Sequence, residues 1–389
     1  MASTFAFGFG GDDIEDLEGV SDTDQKAPNV QGDKNDLIFD KAEMFSLEDM
    51  LASLPSQLEF NTQLIGSESE DPFLVARREL MDIRVQLMAE RDMLNEGEDF
   101  LVGLQRDDIK PTVYEGGFKT WECALDLAAL ASHSQEGFTY LDNGDEITII
   151  ELGAGTAIPS LSLFRCFLKR EEAGHRKVRF VLADYNATVL KLATLPNLLL
   201  TWYITRRGSP EGNNNIQTDP IVDHLLEIDR DLLESFVRDL SDHGITLSFI
   251  SGGWSPEFVD LCLGKQEITE PETMSDHQQT TMGRRTLILA SETIYSPPSL
   301  LPFTETLVSL MRKALSVEGS SIAQGHPPVR ALISAKKVYF GVGGGVSEFL
   351  STLRDVGGSE EFKALTKLTI SDAGVTRTVL EILPGNGLA

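Results

Sequence analysis

Cysteine is scarce in this chain, with 3 residues in 389, at Cys123, Cys166 and Cys262. An odd number at wide spacing excludes a disulfide framework and a cysteine zinc site, and predicts a reducing compartment, the cytoplasm or the nucleus. Histidine is also sparse: the 6 residues show no metal-ligand spacing, so no metal is expected. No apolar run approaches the roughly 18 residues that a membrane span needs. The opening MASTFAFGFG lacks a basic start ahead of an apolar stretch, so neither a membrane partner nor a secretory signal is expected. Basic residues are short as well, 33 Lys and Arg against 61 Asp and Glu, for a net charge of −28. That balance disfavours direct nucleic-acid binding and favours a basic protein partner. No internal repeat is visible, and a monomer is expected.

What the chain does have is unevenly placed. Hydrophobic residues make up 41%, enough for a core, while residues 1–110 carry 26 acidic and 9 basic side chains. The pattern predicts three regions: an acidic, mostly disordered tail over 1–70, a helical extension over 71–110, and an α/β domain over 111–389. Within the tail, a short helix is expected near Ser46–Leu51, and Phe5, Phe7 and Phe9 alternate as on one face of an extended segment. In 71–91, Asp71 reads as a cap and Pro72 as the first helical residue. Leu74, Met81, Val85 and Met88 then recur at helical spacing.

The domain is organised around Ile147–Thr156, ITIIELGAGT. β-Branched residues lead into Glu151 and Leu152 as a buried parallel strand, followed by a glycine turn at Gly153 and Gly155. Thr156 is placed to cap the helix beyond. A second strand, Val178–Asp184, ends in a carboxylate about thirty residues on, where a doubly wound sheet holds the ribose of a nucleotide-like cofactor. A dinucleotide fold wants a third glycine where this chain has Ile158. With Glu151 ahead of the turn, the arrangement of acid, Gly-x-Gly and acid suits S-adenosylmethionine, which is cationic and has no pyrophosphate.

Further strands are expected at 245–251, 285–291 and 329–338, with helices between them. Two final strand-like runs, 362–370 and 376–382, suggest an antiparallel edge hairpin on a mainly parallel sheet. Pro196 is expected to break a helix that begins near Tyr185. An inserted helix is expected over 220–242, and polar loops over 205–217 and 264–284.

The segments YEGGFKTWEC (114–123), ELGAGT (151–156), ADYN (183–186), SGGW (251–254), SETIY (291–295) and YFGVGGG (339–345) occur in that order. Together they resemble the protein-histidine methyltransferases of the seven-strand, S-adenosylmethionine-dependent class, over roughly residues 111–383. The resemblance implies a Rossmann-like seven-strand methyltransferase sheet and methylation of a histidine in a large-subunit ribosomal protein. It implies cofactor contacts from Glu151, Gly153, Gly155, Asp184, Tyr185 and Asn186. Gly252, Gly253 and Trp254 would edge the adenine, Thr120, Trp121 and Glu122 would close over the cofactor, and Ser291 would lie under the methionine group. Phe340, Gly343 and Gly344 fall in a loop facing the substrate. Sibling lysine methyltransferases carry Asp-x-x-Tyr where this chain has Glu292 and Tyr295, which favours histidine over lysine. Glu292 and Tyr295 are therefore the expected catalytic pair, with Glu292 or a carbonyl of the glycine loop holding the acceptor ring. Lysine methylation, or a fold used mainly to bind a ribosomal protein, stay open as alternatives.

Overall fold

The computed structural model describes residues 41–385 except 67–70, 95–116, 134–136, 143, 171–175, 208–223, 265–283, 318–326, 342, 359 and 373–374. The Phe5, Phe7 and Phe9 pattern, residues Tyr114 to Gly116 and most of the two polar loops lie outside the described residues.

Five strands, β4 (Glu146–Leu152), β5 (Lys177–Asp184), β7 (Ile245–Ser251), β8 (Arg285–Ser291) and β9 (Val329–Lys336), run parallel in the order β7-β5-β4-β8-β9. β10 (Phe362–Asp372) and β11 (Val375–Pro384) form the expected antiparallel hairpin, docked through β11 onto β9. Alternation along each strand feeds two cores. Ile147, Ile149, Phe180 and Leu287 face one side, and Ile150, Leu152, Val181 and Ile288 the other. From β4 the chain goes out to β5 and β7 on one flank and returns to β8 and β9 on the other. That reversal opens a crevice at the carboxyl end of β4, the place where such sheets bind ligands.

Within the acidic segment before residue 71, residues 43–65 are more ordered than its charge suggests. From residue 43 it forms β1 (Glu43–Phe45), a helix Leu47–Ala52 and β2 (Gln57–Ile65). The helix matches the one expected near Ser46, whose hydroxyl accepts from the Asp49 amide. β1 pairs antiparallel with β7 as an eighth strand of the main sheet. β2 joins β3 (Phe73–Arg78) and β6 (Leu225–Glu227) in a separate three-stranded sheet. Met50, Leu58, Phe60 and Ile65 are at most 1% exposed. Burying these apolar side chains offsets the cost of ordering a segment whose surface stays charged.

Residues 71–79 are not helical. Asp71 has a left-handed φ of 54°, β3 follows, and the helix runs only over Leu80–Leu94. Leu74, Met81, Val85 and Met88, which helical spacing assigns to the core, are 40–61% exposed, while Ile83 and Leu87 turn inward. Pairing with β2 overrides the local helical pattern. The inserted helix likewise shortens to Arg230–Asp242, capped by Asp229, because Leu225–Glu227 pairs with β2 instead.

Pro196 breaks nothing. One helix runs from Ala187 to Arg207, with a π-helical turn over Leu190–Thr194 just before the proline. Proline lacks the amide that would bond back, and a wider turn ahead of it accommodates both the ring and the missing donor. At 21 residues this helix is long and apolar enough to cross a membrane, yet most of its apolar stretch is buried inside the fold, so it reads as a core helix.

Candidate active site

The floor of the crevice is the turn after β4. Gly153, Gly155 and Ala157 have left-handed φ angles of 69°, 52° and 58°. A Cβ on Gly155 would lie 3.0 Å from the Gly117 carbonyl oxygen, and one on Gly153 would lie 2.8 Å from Thr293 Cγ2. The turn is thus packed between the end of the YEGG loop and the residue after Glu292. Thr156 does not cap the next helix as expected. Ala157 takes the cap position with no side-chain bond, and Thr156 Oγ1 lies 3.0 Å from Thr120 Oγ1. That contact ties the Thr120 segment to the turn.

Two side chains that sequence reasoning missed hold the turn from behind. Thr194 Oγ1 donates to the Gly155 carbonyl at 2.7 Å, and Asn197 Nδ2 donates to the Thr156 carbonyl at 3.0 Å. Both flank Pro196, and only the continuous helix brings them to the turn. Thr194→Val is expected to cost about 1 kcal/mol, one buried hydrogen bond, in a denaturant unfolding measurement. No loss there would remove Thr194 as a support.

Two carboxylates bracket the turn. Glu151 is 1% exposed, with Oε2 accepting from the Ser160 amide at 2.9 Å and Oε1 making no hydrogen bond. It therefore braces the first turn of helix Ile158–Leu168 rather than the glycine amides. Burial, the largest cause, pushes its carboxyl from 4.5 up to about 8, opposed by the Ser160 bonds. A group raised in the folded state holds its proton more tightly there than in the unfolded chain. Its stabilising contribution is therefore complete below about pH 4.5 and is lost as pH rises through about 8. The ligand-free protein should show this fall in its melting temperature, and Glu151→Gln should flatten it. An equal fall in both proteins would assign the effect elsewhere.

Asp184 ends β5. Its Oδ2 accepts from the Gly155 amide at 2.9 Å and its Oδ1 from the Asn186 amide at 3.0 Å. Burial raises its pKa, opposed by those amides. Tyr185 follows, and its carbonyl accepts from the Gly252 amide at 3.3 Å. Asn186 is a helix cap, with Oδ1 accepting from the Thr188 amide at 2.8 Å. At the expected adenine edge, Gly252 has φ 118°, and a Cβ there would lie 2.7 Å from Ala42 Cα. The segment entering β1 therefore walls this side, which the sequence did not indicate. Gly253 is buried. Trp254 packs edge-on against Phe258 and Phe303, with ring centroids 5.1 and 5.7 Å away.

On the expected acceptor side, Ser291 ends β8 and Glu292 turns out of the strand with φ 55°, an uncommon backbone for a residue other than glycine. The Glu292 amide donates to Ser334 O at 2.9 Å. Its Oε2 accepts from the Tyr339 hydroxyl at 2.5 Å, and its Oε1 lies 3.6 Å from Lys336 Nζ. The same Nζ is 3.6 Å from Glu122 Oε2 and 5.2 Å from the centroid of the Trp121 ring. Cys123, fully buried, has its thiol pKa pushed up by burial first and then by the neighbouring Glu292. Tyr295 stands edge-on to Tyr339, centroids 6.2 Å apart. The structure thus brings Trp121, Glu122, Glu292 and Tyr295 together through two residues not singled out before, Lys336 and Tyr339. Tyr339 opens the glycine loop, and its hydroxyl was the available signal.

The glycine loop closes on itself. The Gly343 amide donates to Tyr339 O and the Tyr339 amide to Gly344 O, each at 3.2 Å, with a bridge between Val338 and Gly345. A Cβ on Gly344 would lie 2.3 Å from the Tyr295 carbonyl oxygen, so the loop is pinned against the Glu292–Tyr295 turn. A Cβ on Gly343 would meet Pro297 at an ordinary 3.6 Å. Phe340, at the tip, is 81% exposed and free to meet another surface.

No family model matches the chain. It is similar to histidine protein methyltransferase 1 of Schizosaccharomyces pombe, 32% identical over 383 residues, covering 98% of this chain and 93% of that protein. The chain belongs to the histidine protein methyltransferase 1 family. The Saccharomyces cerevisiae relative of the same name is 29% identical over 401 residues, covering 97% of each chain. The Bos taurus homologue is 28% identical over 275 residues, 71% of this chain and 57% of that one. The likeness to the two fungal members covers nearly the whole chain, the region before residue 111 included.

Proposed function

We propose that this protein methylates a histidine side chain of a protein substrate, a large-subunit ribosomal protein, using S-adenosylmethionine. The observation that carries the reading is near-full-length similarity to histidine protein methyltransferase 1, in a chain with Glu292 at the strand end beside the glycine turn. The residues fit the cofactor. Left-handed Gly153 and Gly155 form the tight turn at the strand end, Asp184 offers a carboxylate for ribose hydroxyls, and Oε1 of buried Glu151 has no partner, where a cationic ligand would favour the charged form that burial disfavours. S-adenosylmethionine supplies a methyl carbon on a cationic sulfur, which keeps the bonding pair as the imidazole lone pair takes its place.

The protein's own part is mainly positioning. Histidine, with an ordinary pKa near 6.5, is largely neutral at pH 7 and needs no strong base to attack. The attacking nitrogen must be bare while the other carries hydrogen. Glu292 accepts that hydrogen, which fixes the ring and stabilises the cation formed on methylation; the surplus proton then passes to water. The acidic surface, −28 overall, attracts a basic ribosomal protein. Incubation with labelled cofactor and large-subunit ribosomal proteins, followed by acid hydrolysis, should yield labelled methylhistidine. Label in methyllysine, or cofactor binding without transfer, would overturn the reading.

A further inference from the structure

Glu292 is held by more than its own strand. The Tyr339 hydroxyl accepts from the Lys336 amide at 3.2 Å and donates to Glu292 Oε2 at 2.5 Å. With its lone pair directed at the backbone, its proton is directed at the carboxylate. Burial first, then the Glu292 charge, raises the Tyr339 pKa, so the phenol stays a donor. Oε1 of Glu292 is buried and makes no hydrogen bond. Lys336 Nζ balances its charge from 3.6 Å, beyond hydrogen-bond reach. A buried carboxylate oxygen with only the weak Cys123 thiol as a neighbouring donor is under-satisfied, and a ring N–H is a stronger donor that it can take.

We infer that Tyr339 is a positioning residue that occupies Oε2 and leaves Oε1 as the acceptor for the substrate's ring N–H, thereby selecting which imidazole nitrogen is methylated. This rests on the histidine reading above. A carboxylate free to rotate can meet the ring from either nitrogen; one pinned at Oε2 presents a single oxygen in a single direction. Selectivity therefore depends on the hydroxyl of Tyr339 as well as on Glu292.

The test uses the full chain, a basic peptide or ribosomal protein that the wild type methylates, and chromatographic separation of the two methylhistidine isomers after hydrolysis. The wild type is expected to give one isomer. Tyr339→Phe should lower kcat about tenfold, the size of one lost hydrogen bond to a charged group, with the KM for cofactor within about twofold. It should also release the second isomer, and so should Glu292→Gln, which guards against a Tyr339 variant that folds poorly. The double variant should be no slower than Glu292→Gln alone, because the two side chains act as one unit. A merely structural Tyr339 would lower the melting temperature, leave isomer purity intact and add its effect to that of Glu292→Gln. A single isomer from both variants, or both isomers from the wild type, overturns this inference while leaving histidine methylation standing. Absence of methylhistidine from the wild type overturns the function itself.

Discussion

Asp184→Ala should weaken S-adenosylmethionine binding by about 2–3 kcal/mol, roughly 30- to 150-fold in Kd by calorimetry. The carboxylate ends β5 next to the glycine turn, where it would accept charge-assisted hydrogen bonds from two ribose hydroxyls. It also holds the turn itself, through the Gly155 amide at 2.9 Å and the Asn186 amide at 3.0 Å. The substitution therefore removes ligand contacts and loosens the cradle, and both act in the same direction. Asp184→Asn separates them: its amide oxygen can still accept from one backbone N–H, but the charge is gone. An intermediate loss is expected for it. If the folded fraction of the alanine variant binds with wild-type affinity, Asp184 belongs to the scaffold alone.

Glu292→Gln should leave cofactor affinity within about twofold and lower the methylation rate about ten- to a hundredfold, the value of one charge-assisted hydrogen bond in the transition state. Glutamine keeps an oxygen for the Tyr339 hydroxyl but cannot stabilise the imidazolium by charge. The competing account is that Glu292 only braces the fold, since it bonds Tyr339 and pairs with Lys336. On that account the variant would melt lower while its folded molecules turned over normally. Single-turnover rates on cofactor-saturated, refolded protein distinguish the two, and an unchanged rate there would falsify the acceptor role. Tyr295→Phe should do less, because the Tyr295 ring packs edge-on to Tyr339 and phenylalanine keeps that packing.

The sequence by itself determined the parallel sheet, its edge hairpin and the glycine turn after β4. Each of these is written in short-range signals: β-branched runs at 147–150, glycines where φ must be positive, and an acid closing β5. Glu292 was singled out through the family resemblance, as the position where sibling lysine methyltransferases carry the Asp of Asp-x-x-Tyr. The tertiary structure decided what depends on partners distant in the chain. Residues 57–65 and 73–78 became strands because they pair with one another, against an acidic composition in one case and a helical spacing in the other. Pro196 stayed inside a helix because a π-turn absorbed it, and that continuity delivered Thr194 and Asn197 to the glycine turn. Tyr339 and Lys336 reached Glu292 from the neighbouring strand end, across 47 positions of sequence in the case of Tyr339. Local pattern fixes the backbone a residue prefers. Which side chains complete a buried carboxylate's hydrogen bonds is set by strand order, and no local pattern encodes that.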